Sequence, residues 1–85
     1  MEKMLPIVMG EVLRELRKEK KLKLRDLSVS SGIALGYLSE VERGDKDISS
    51  RKLYKLLGSL EMPLVNFLLL VAVKMDRIEK ETLNK

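Results

Sequence analysis

Basic and hydroxyl side chains in the middle of this 85-residue sequence are of the types that bind phosphate groups. Lys23 and Arg25 flank the predicted start of a short helix, and the N-terminal end of a helix attracts anions. Lys46 lies in a polar segment further along, and Ser49 and Arg51 open another predicted helix. These five residues are therefore candidate phosphate ligands. Lys18, Lys20 and Lys21 are instead interpreted as a solvated basic patch.

The sequence has few residues of the types that catalyse reactions or bind metals. The sequence contains no histidine and no cysteine, so the commonest general base, the commonest metal ligand and every disulfide are missing. No pair of carboxylates lies in an apolar stretch that would perturb its pKa. We therefore expect no enzyme, no catalytic residues, no metal and no cofactor, and the lack of cysteine favours a cytoplasmic location.

Length and charge limit the remaining functions. Eighty-five residues suffice for one domain, and 45% hydrophobic with 35% charged residues indicates a globular helical protein. The formal charge of +4 favours nucleic acid or an anionic surface as partner, although a merely lysine-rich soluble protein has the same charge. The longest apolar run covers residues 67–73, whereas a membrane span needs about 20 apolar residues. No membrane association is expected.

Apolar residues at helical spacing, without strict alternation, predict an all-α fold of five helices. The predicted helices span about 7–20, 24–31, 34–42, 50–61 and 63 onward, with the N-cap of the fourth at Ser49. Gly32 ends the second helix, Gly44 follows the third, and Pro63 lies in the first turn of the fifth.

The fifth helix carries more apolar residues than one face can hold. Its heptad seam consists of Leu64, Leu68, Val71, Met75 and Ile78, and other apolar residues lie off this seam, namely Leu69, Leu70 and Val73. One side would face the domain core and the other a second subunit. The predicted dimer interface is Leu64, Phe67, Leu68, Val71, Met75 and Ile78. The alternative is a core helix with a frayed, charged tail.

Two short helices around Gly32 form a predicted helix-turn-helix over residues 24–43. Its core positions are Leu27, Ile33, Leu38 and Val41. With the flanking stretches "LRELRKEKKLKLRDLS", "SGIALGYLSEVERG" and "SSRKLYKLLGSLEMPL", residues 10–70 resemble the Cro/C1-type (Xre) helix-turn-helix family. The "GYLSEVERG" segment is also similar to actinobacterial regulators of Clp protease genes. The resemblance implies a DNA-binding domain over residues 1–70, and a helix over 64–85 that serves for dimerisation and ends in a charged tail.

The resemblance also implies which residues face DNA, and here the sequence departs from the family. Leu24 stands where members often have a phosphate-binding glutamine, and Ser31 stands at a usually apolar position. The positions that often read bases are Leu35 and Gly36, which lack hydrogen-bonding side chains. The expected DNA-facing residues of the third helix are Ala34, Leu35, Gly36, Tyr37, Ser39, Glu40 and Arg43. We expect weak direct readout and a larger share from DNA shape.

Several of these residues have alternative roles. Ala34 and Leu35 can contact a thymine methyl group, and Ser39 can bond to more than one base. Glu40 either accepts from a cytosine amine or is simply solvated, and Arg43 pairs with guanine or with a phosphate. Tyr37 is expected to pack its ring on the helix and to bond a phosphate rather than a base.

In the family, residues matching Arg17 and Glu42 form a structural salt bridge beneath the third helix, and the same is expected here. The predicted function is a sequence-specific double-stranded-DNA-binding transcription regulator, acting as a homodimer on an inverted repeat. RNA polymerase or a regulatory protein is a further candidate partner. The alternative is a protein-interaction module of the same fold, antitoxin-like or coactivator-like, with weak non-specific DNA binding. The basic residues favour the first function, while Leu35 and Gly36 keep the second open.

Overall fold

The structure is a computed structural model that describes residues 3–83, and within this range it contains five α-helices and no strand. The helices are α1 (Met4–Glu19), α2 (Leu24–Ser31), α3 (Leu35–Glu42), α4 (Ser50–Ser59) and α5 (Leu64–Leu83). The all-α, five-helix prediction is confirmed. The first helix begins earlier than predicted, at Met4, and Pro63 lies just before α5 rather than within it. The predicted charged tail extends to residues 84 and 85, which lie outside the described range.

Two helix ends form where the local sequence predicts them. Gly32 caps the C-terminus of α2 in the left-handed conformation, with φ of 72°, and its N–H donates to the Ser28 carbonyl at 2.9 Å. Ser49 caps the N-terminus of α4, where its hydroxyl accepts from the Lys52 N–H at 3.2 Å. Both caps satisfy backbone groups that a helix end leaves unpaired.

The hydrophobic core lies at the centre of the five helices, where α1 packs against α3 and α5 while α2 packs against α3 and α4, and all four predicted helix-turn-helix core residues are buried in it. They are Leu27, Ile33, Leu38 and Val41. α1 crosses α3 closely at Gly10, where a Cβ atom would lie 2.8 Å from the Glu42 carbonyl oxygen. Only a glycine permits this approach, so Gly10 sets how closely α1 and α3 pack.

Apart from Leu68, the heptad seam of α5 faces the protein's own core. Phe67 is fully buried and Val71 is 5% exposed, so the prediction that these two lie at a dimer interface was wrong. Leu64, Met75 and Ile78 pack against the same core, and of the six predicted interface residues only Leu68 is exposed. The physical reason is that α5 packs along α1 and leaves no surface of Phe67 or Val71 for a second subunit. The off-seam residues Val65, Leu69, Leu70 and Val73 are exposed instead.

Among the described residues, no single helix is long and apolar enough to cross a membrane. Only α4 and α5 together reach such a composition, and they meet at a bend of 106°.

Candidate nucleic-acid interface

The structure brings the predicted DNA-facing residues together on the outer side of α3. Ala34, Leu35, Gly36 and Arg43 are exposed, and Tyr37, Ser39 and Glu40 are half-buried. A cleft separates this face from the start of α2, and it is lined by Lys23, Leu24, Arg25, Asp26, Leu35, Gly36 and Ser39. The helix-turn-helix therefore presents an open surface bordered by cations.

The N-terminal end of α2 is only partly free to hold an anion. Lys23 and Arg25 are exposed on either side of it, as a phosphate site requires. The carboxylate of Asp26, however, accepts from the Lys23 N–H at 2.8 Å and occupies one of the helix-end donors. Leu24 packs partly buried against the core, so its position contributes no polar group. Sequence reasoning missed Asp26, although an acidic residue in the first turn of a helix is a common cap.

Ser39 and Arg43 lie one helical turn apart and are bonded to each other. The Arg43 Nη1 donates to the Ser39 hydroxyl at 2.6 Å, and its Nε donates to the Asp45 carboxylate at 3.0 Å. The guanidinium thus lies along the outer face of α3, and the side chain is 58% exposed. Asp45 had not been singled out from the sequence, where nothing in its neighbours marks it.

Tyr37 links α3 to the loop and helix that follow. Its hydroxyl donates to the Asp47 carbonyl oxygen at 3.1 Å, and the Lys52 Nζ lies 4.1 Å from the centre of its ring. A cation at this distance over an aromatic face is attracted by it. The ring therefore packs within the protein, and the hydroxyl proton is already used in the free protein.

The remaining cations border the face from the loop and from α4. Lys46 lies 3.7 Å from the Glu40 carboxylate, so Glu40 is paired rather than merely solvated. Arg51 is exposed at the start of α4, next to the capping residue Ser49. Lys23 and Arg25 line the cleft beside Leu35 and Ser39, whereas Lys46 lies beside Glu40.

Beneath this face, the structure places Arg17 of α1 against Glu42 of α3. The Arg17 Nε and Nη2 donate to the two carboxylate oxygens at 2.7 and 2.9 Å, and its Nη1 donates to the Leu22 carbonyl at 2.8 Å. The hydrogen bond to Glu42 raises the pKa of Arg17 further above its already high usual range. The pair is a neutralised support for α3 and does not add charge to the open face.

Comparison with known proteins places this geometry among regulators. A family model described as helix-turn-helix matches residues 13–67. The chain is 41% identical over 73 residues to the transcriptional regulator ClgR of Mycobacterium tuberculosis. That alignment covers 86% of this chain and 65% of the relative, so the chain spans about two thirds of the length of the curated relatives it matches.

Solved structures agree in fold. The crystal structure of the clp gene regulator ClgR from Corynebacterium glutamicum has a TM-score of 0.84 and 34% identity, covering 94% of this chain and 86% of that chain. The restriction-modification controller protein C.AhdI from Aeromonas hydrophila has a TM-score of 0.71 and 32% identity, over 73% and 94% of the two chains. The controller protein C.Esp1396I, solved as a tetramer on its natural 35-base-pair operator, has a TM-score of 0.76 and 25% identity, over 80% and 90%.

Proposed function

We propose, since this chain belongs to the Cro/C1-type (Xre) helix-turn-helix family, that it binds double-stranded DNA sequence-specifically and regulates transcription. The observation that carries the proposal is the open outer face of α3, with cations from α2, the following loop and α4 around it. A surface of this kind fits the major groove, which admits one α-helix between two phosphate backbones.

The proposal assigns two kinds of contact. Phosphates are held by exposed residues around the face, which fix position but carry no sequence information: Lys23, Arg25, Lys46, Ser49 and Arg51. Bases are approached by the face itself, through Ala34, Leu35, Gly36, Ser39, Glu40 and Arg43. Tyr37 is assigned to the phosphate side, where its hydroxyl would donate to a phosphate oxygen in place of the Asp47 carbonyl that it bonds in the free protein.

A homodimer contacts a longer DNA site than one small domain can contact alone. Dimers of this class place their two recognition helices about 34–36 Å apart, so an inverted repeat is the expected operator. The exposed apolar residues on the first half of α5 are the proposed contact, namely Val65, Leu68, Leu69 and Val73. Residues 1–70 then act as the DNA-binding domain and 64–85 as the dimerisation helix with its tail. The operator-bound tetramer of C.Esp1396I supports oligomeric binding in a protein of this fold.

The remaining assignments follow from that role. A DNA-binding regulator acts where the genome lies, and we place the protein in the cytoplasm. RNA polymerase or a regulatory protein remains a proposed further partner. No enzymatic activity is assigned, and residues 3–83 contain no cluster of acidic, histidine or cysteine side chains that could hold a metal ion.

Selection of binders from a random duplex DNA pool at about physiological salt tests the function directly, since non-specific phosphate attraction is then partly screened. The expected result is an enriched inverted repeat with half-site centres about one helical turn apart. The matched variants Lys23→Gln and Arg51→Gln should each weaken binding to all sequences alike and reduce the salt slope by about 0.9. A pool that shows no enriched sequence, and whose binding merely weakens as the salt concentration rises, would contradict the proposal and favour the protein-interaction module.

A further inference from the structure

The two charged residues on the outer face of α3 are each paired with a neighbour in the loop that follows. Arg43 bonds to Asp45, and Glu40 lies within 3.7 Å of Lys46. The Arg43 guanidinium has a second bond, to the Ser39 hydroxyl. In the free protein the Arg43 guanidinium is therefore hydrogen-bonded to both Asp45 and Ser39.

The position of Asp45 is set by the backbone. Gly44 has a φ of 78°, its N–H donates to the Val41 carbonyl at 3.0 Å, and the Asp45 N–H donates to the Glu40 carbonyl at 2.9 Å. These two bonds form a Schellman motif, which closes the end of α3 in one geometry. Gly44 also abuts α1, since a Cβ atom there would lie 2.8 Å from the Ile7 Cα. The Asp45 carboxylate is thus held beside Arg43 by a fixed turn.

Stability does not account for the Asp45 carboxylate at this place. The side chains of Arg43 and Asp45 are 58% and 61% exposed, and ion pairs this exposed contribute little to folding. A negative charge near the C-terminal end of a helix is also unfavourable to the helix dipole. Toward DNA, the same charge repels phosphates. The residue is therefore unfavourable for the helix end and for general DNA affinity, and its effect has to be sought in selectivity.

We infer that Asp45 is a specificity-determining positioning residue for DNA recognition, a role that rests on the proposed function. It holds Arg43 along the α3 face beside Ser39 and keeps the guanidinium from pairing with phosphates of arbitrary sequence. A guanine presents two acceptors, O6 and N7, to an arginine and can replace the Asp45 and Ser39 bonds together. A phosphate also presents two acceptor oxygens, but it carries a negative charge that the Asp45 carboxylate repels, whereas the guanine edge is uncharged. The selected half-site should accordingly carry a guanine opposite Arg43.

The test compares Asp45→Asn with Asp47→Asn, a matched control. Both residues are exposed carboxylates of the same loop, and both variants change the net charge equally, but only Asp45 is bonded to Arg43. Binding of the full chain is measured on the selected duplex and on a scrambled duplex of equal length, over a series of salt concentrations. The Arg43 Nε–H signal in the NMR spectrum reports whether the guanidinium has been released.

Asp45→Asn should release the Arg43 signal and tighten binding to the scrambled duplex by up to about eightfold at 0.1 M salt, the effect of one more neutralised phosphate. Its salt slope should steepen by about 0.9, and the ratio of selected to scrambled affinity should fall. Asp47→Asn should change scrambled binding by less than about twofold, because it frees no cation for another phosphate. Equal effects of the two variants, or an unchanged affinity ratio, would overturn the role of Asp45 while leaving DNA binding intact. A wild-type chain that prefers no duplex would overturn both proposals.

Discussion

Arg17 and Glu42 join α1 to α3 through two parallel hydrogen bonds, and their side chains are only 12% and 9% exposed. The third guanidinium nitrogen satisfies the Leu22 carbonyl, in the segment between α1 and α2. One side chain thereby links α1 both to α3 and to the segment that leads into α2, the two helices that border the candidate DNA-binding cleft. Because the carboxylate neutralises the guanidinium there, the pair supports the interface without binding phosphate itself.

Arg17→Ala or Glu42→Ala should each lower the free energy of unfolding by up to about 3–5 kcal/mol, since either leaves one largely buried charge without its partner. Chemical denaturation measures this loss, and Arg14→Ala, an exposed position on the same helix, is the control. Because the pKa of Arg17 is raised from an already high value, the pair's stabilisation should be full at neutral and moderately alkaline pH and be lost only as pH rises through the folded-state pKa. Unchanged melting of both alanine variants would contradict the structural role.

Local sequence signals predicted the parts of this fold that depend on a few neighbouring residues. The caps at Gly32 and Ser49 and the four core positions of the helix-turn-helix follow from spacing and residue type, and each is found in the structure. The direction of the α5 seam could not be predicted in the same way. A heptad stripe shows that one face is covered but does not tell whether α1 or a second subunit covers it.

The spacing of residues in the sequence also does not predict which charged side chains of the candidate interface pair with each other. The bond of Asp45 to Arg43 depends on how the chain turns after α3, whereas Asp26 caps the first turn of its own helix and its residue type could have indicated that role. Gly10 likewise has no local mark of its role, because its neighbour is the backbone of α3, distant in sequence. The position of the α3 residues was predictable, whereas the pairing of their charges required the folded chain.

Lys74 of α5 forms a salt bridge with Glu15 of α1, and its Nζ also lies 3.6 Å from the Glu11 carboxylate. The hydrogen bond with Glu15 raises the pKa of Lys74. Its stabilisation is therefore full below the unfolded pKa of about 10.4 and is lost as pH rises through the higher folded value. Lys74→Gln should lower the free energy of unfolding by up to about 1 kcal/mol at pH 7 and low salt.

The control is Lys80→Gln, which removes a more exposed lysine paired within α5 with Asp76. Denaturation of both variants and of the wild type is compared at pH 7 and above pH ~11, beyond the ordinary lysine value. The difference between wild type and Lys74→Gln should shrink at the higher pH and in high salt. A deficit that is independent of pH and salt would show that the lysine acts by packing alone.

Gly36 and Gly58 are both helical and exposed, and a Cβ atom at either would meet nothing within 4 Å. Alanine at each site should therefore stabilise its helix by up to about 1 kcal/mol. Only Gly36 lies on the outer face of α3, where a methyl group would keep the backbone from the bases. Gly36→Ala should weaken binding to the selected duplex about tenfold, or ~1.4 kcal/mol, and Gly58→Ala should leave it unchanged. Equal DNA affinity of the two variants would remove Gly36 from the proposed contact surface.

Substitutions on the exposed face of α5 can separate an effect on dimerisation from an effect on folding. Leu69 is 59% exposed within the apolar patch, and Leu83 is 82% exposed on the same helix beyond it. A lysine at position 69 would be buried without a partner in a dimer, so Leu69→Lys should weaken the dimer by about 2 kcal/mol or more. Leu83→Lys should leave it intact.

Sedimentation at micromolar concentration measures the association, and denaturation checks that each variant is folded. Phe67→Ala serves as a third variant, because removal of a fully buried ring should cost about 3–5 kcal/mol of folding free energy before it affects association. If the wild-type protein sediments as a monomer, the apolar face of α5 is not the dimer contact. If Leu69→Lys dimerises as well as the wild type, the subunits meet elsewhere, and the spacing of the half-sites must be derived from another surface.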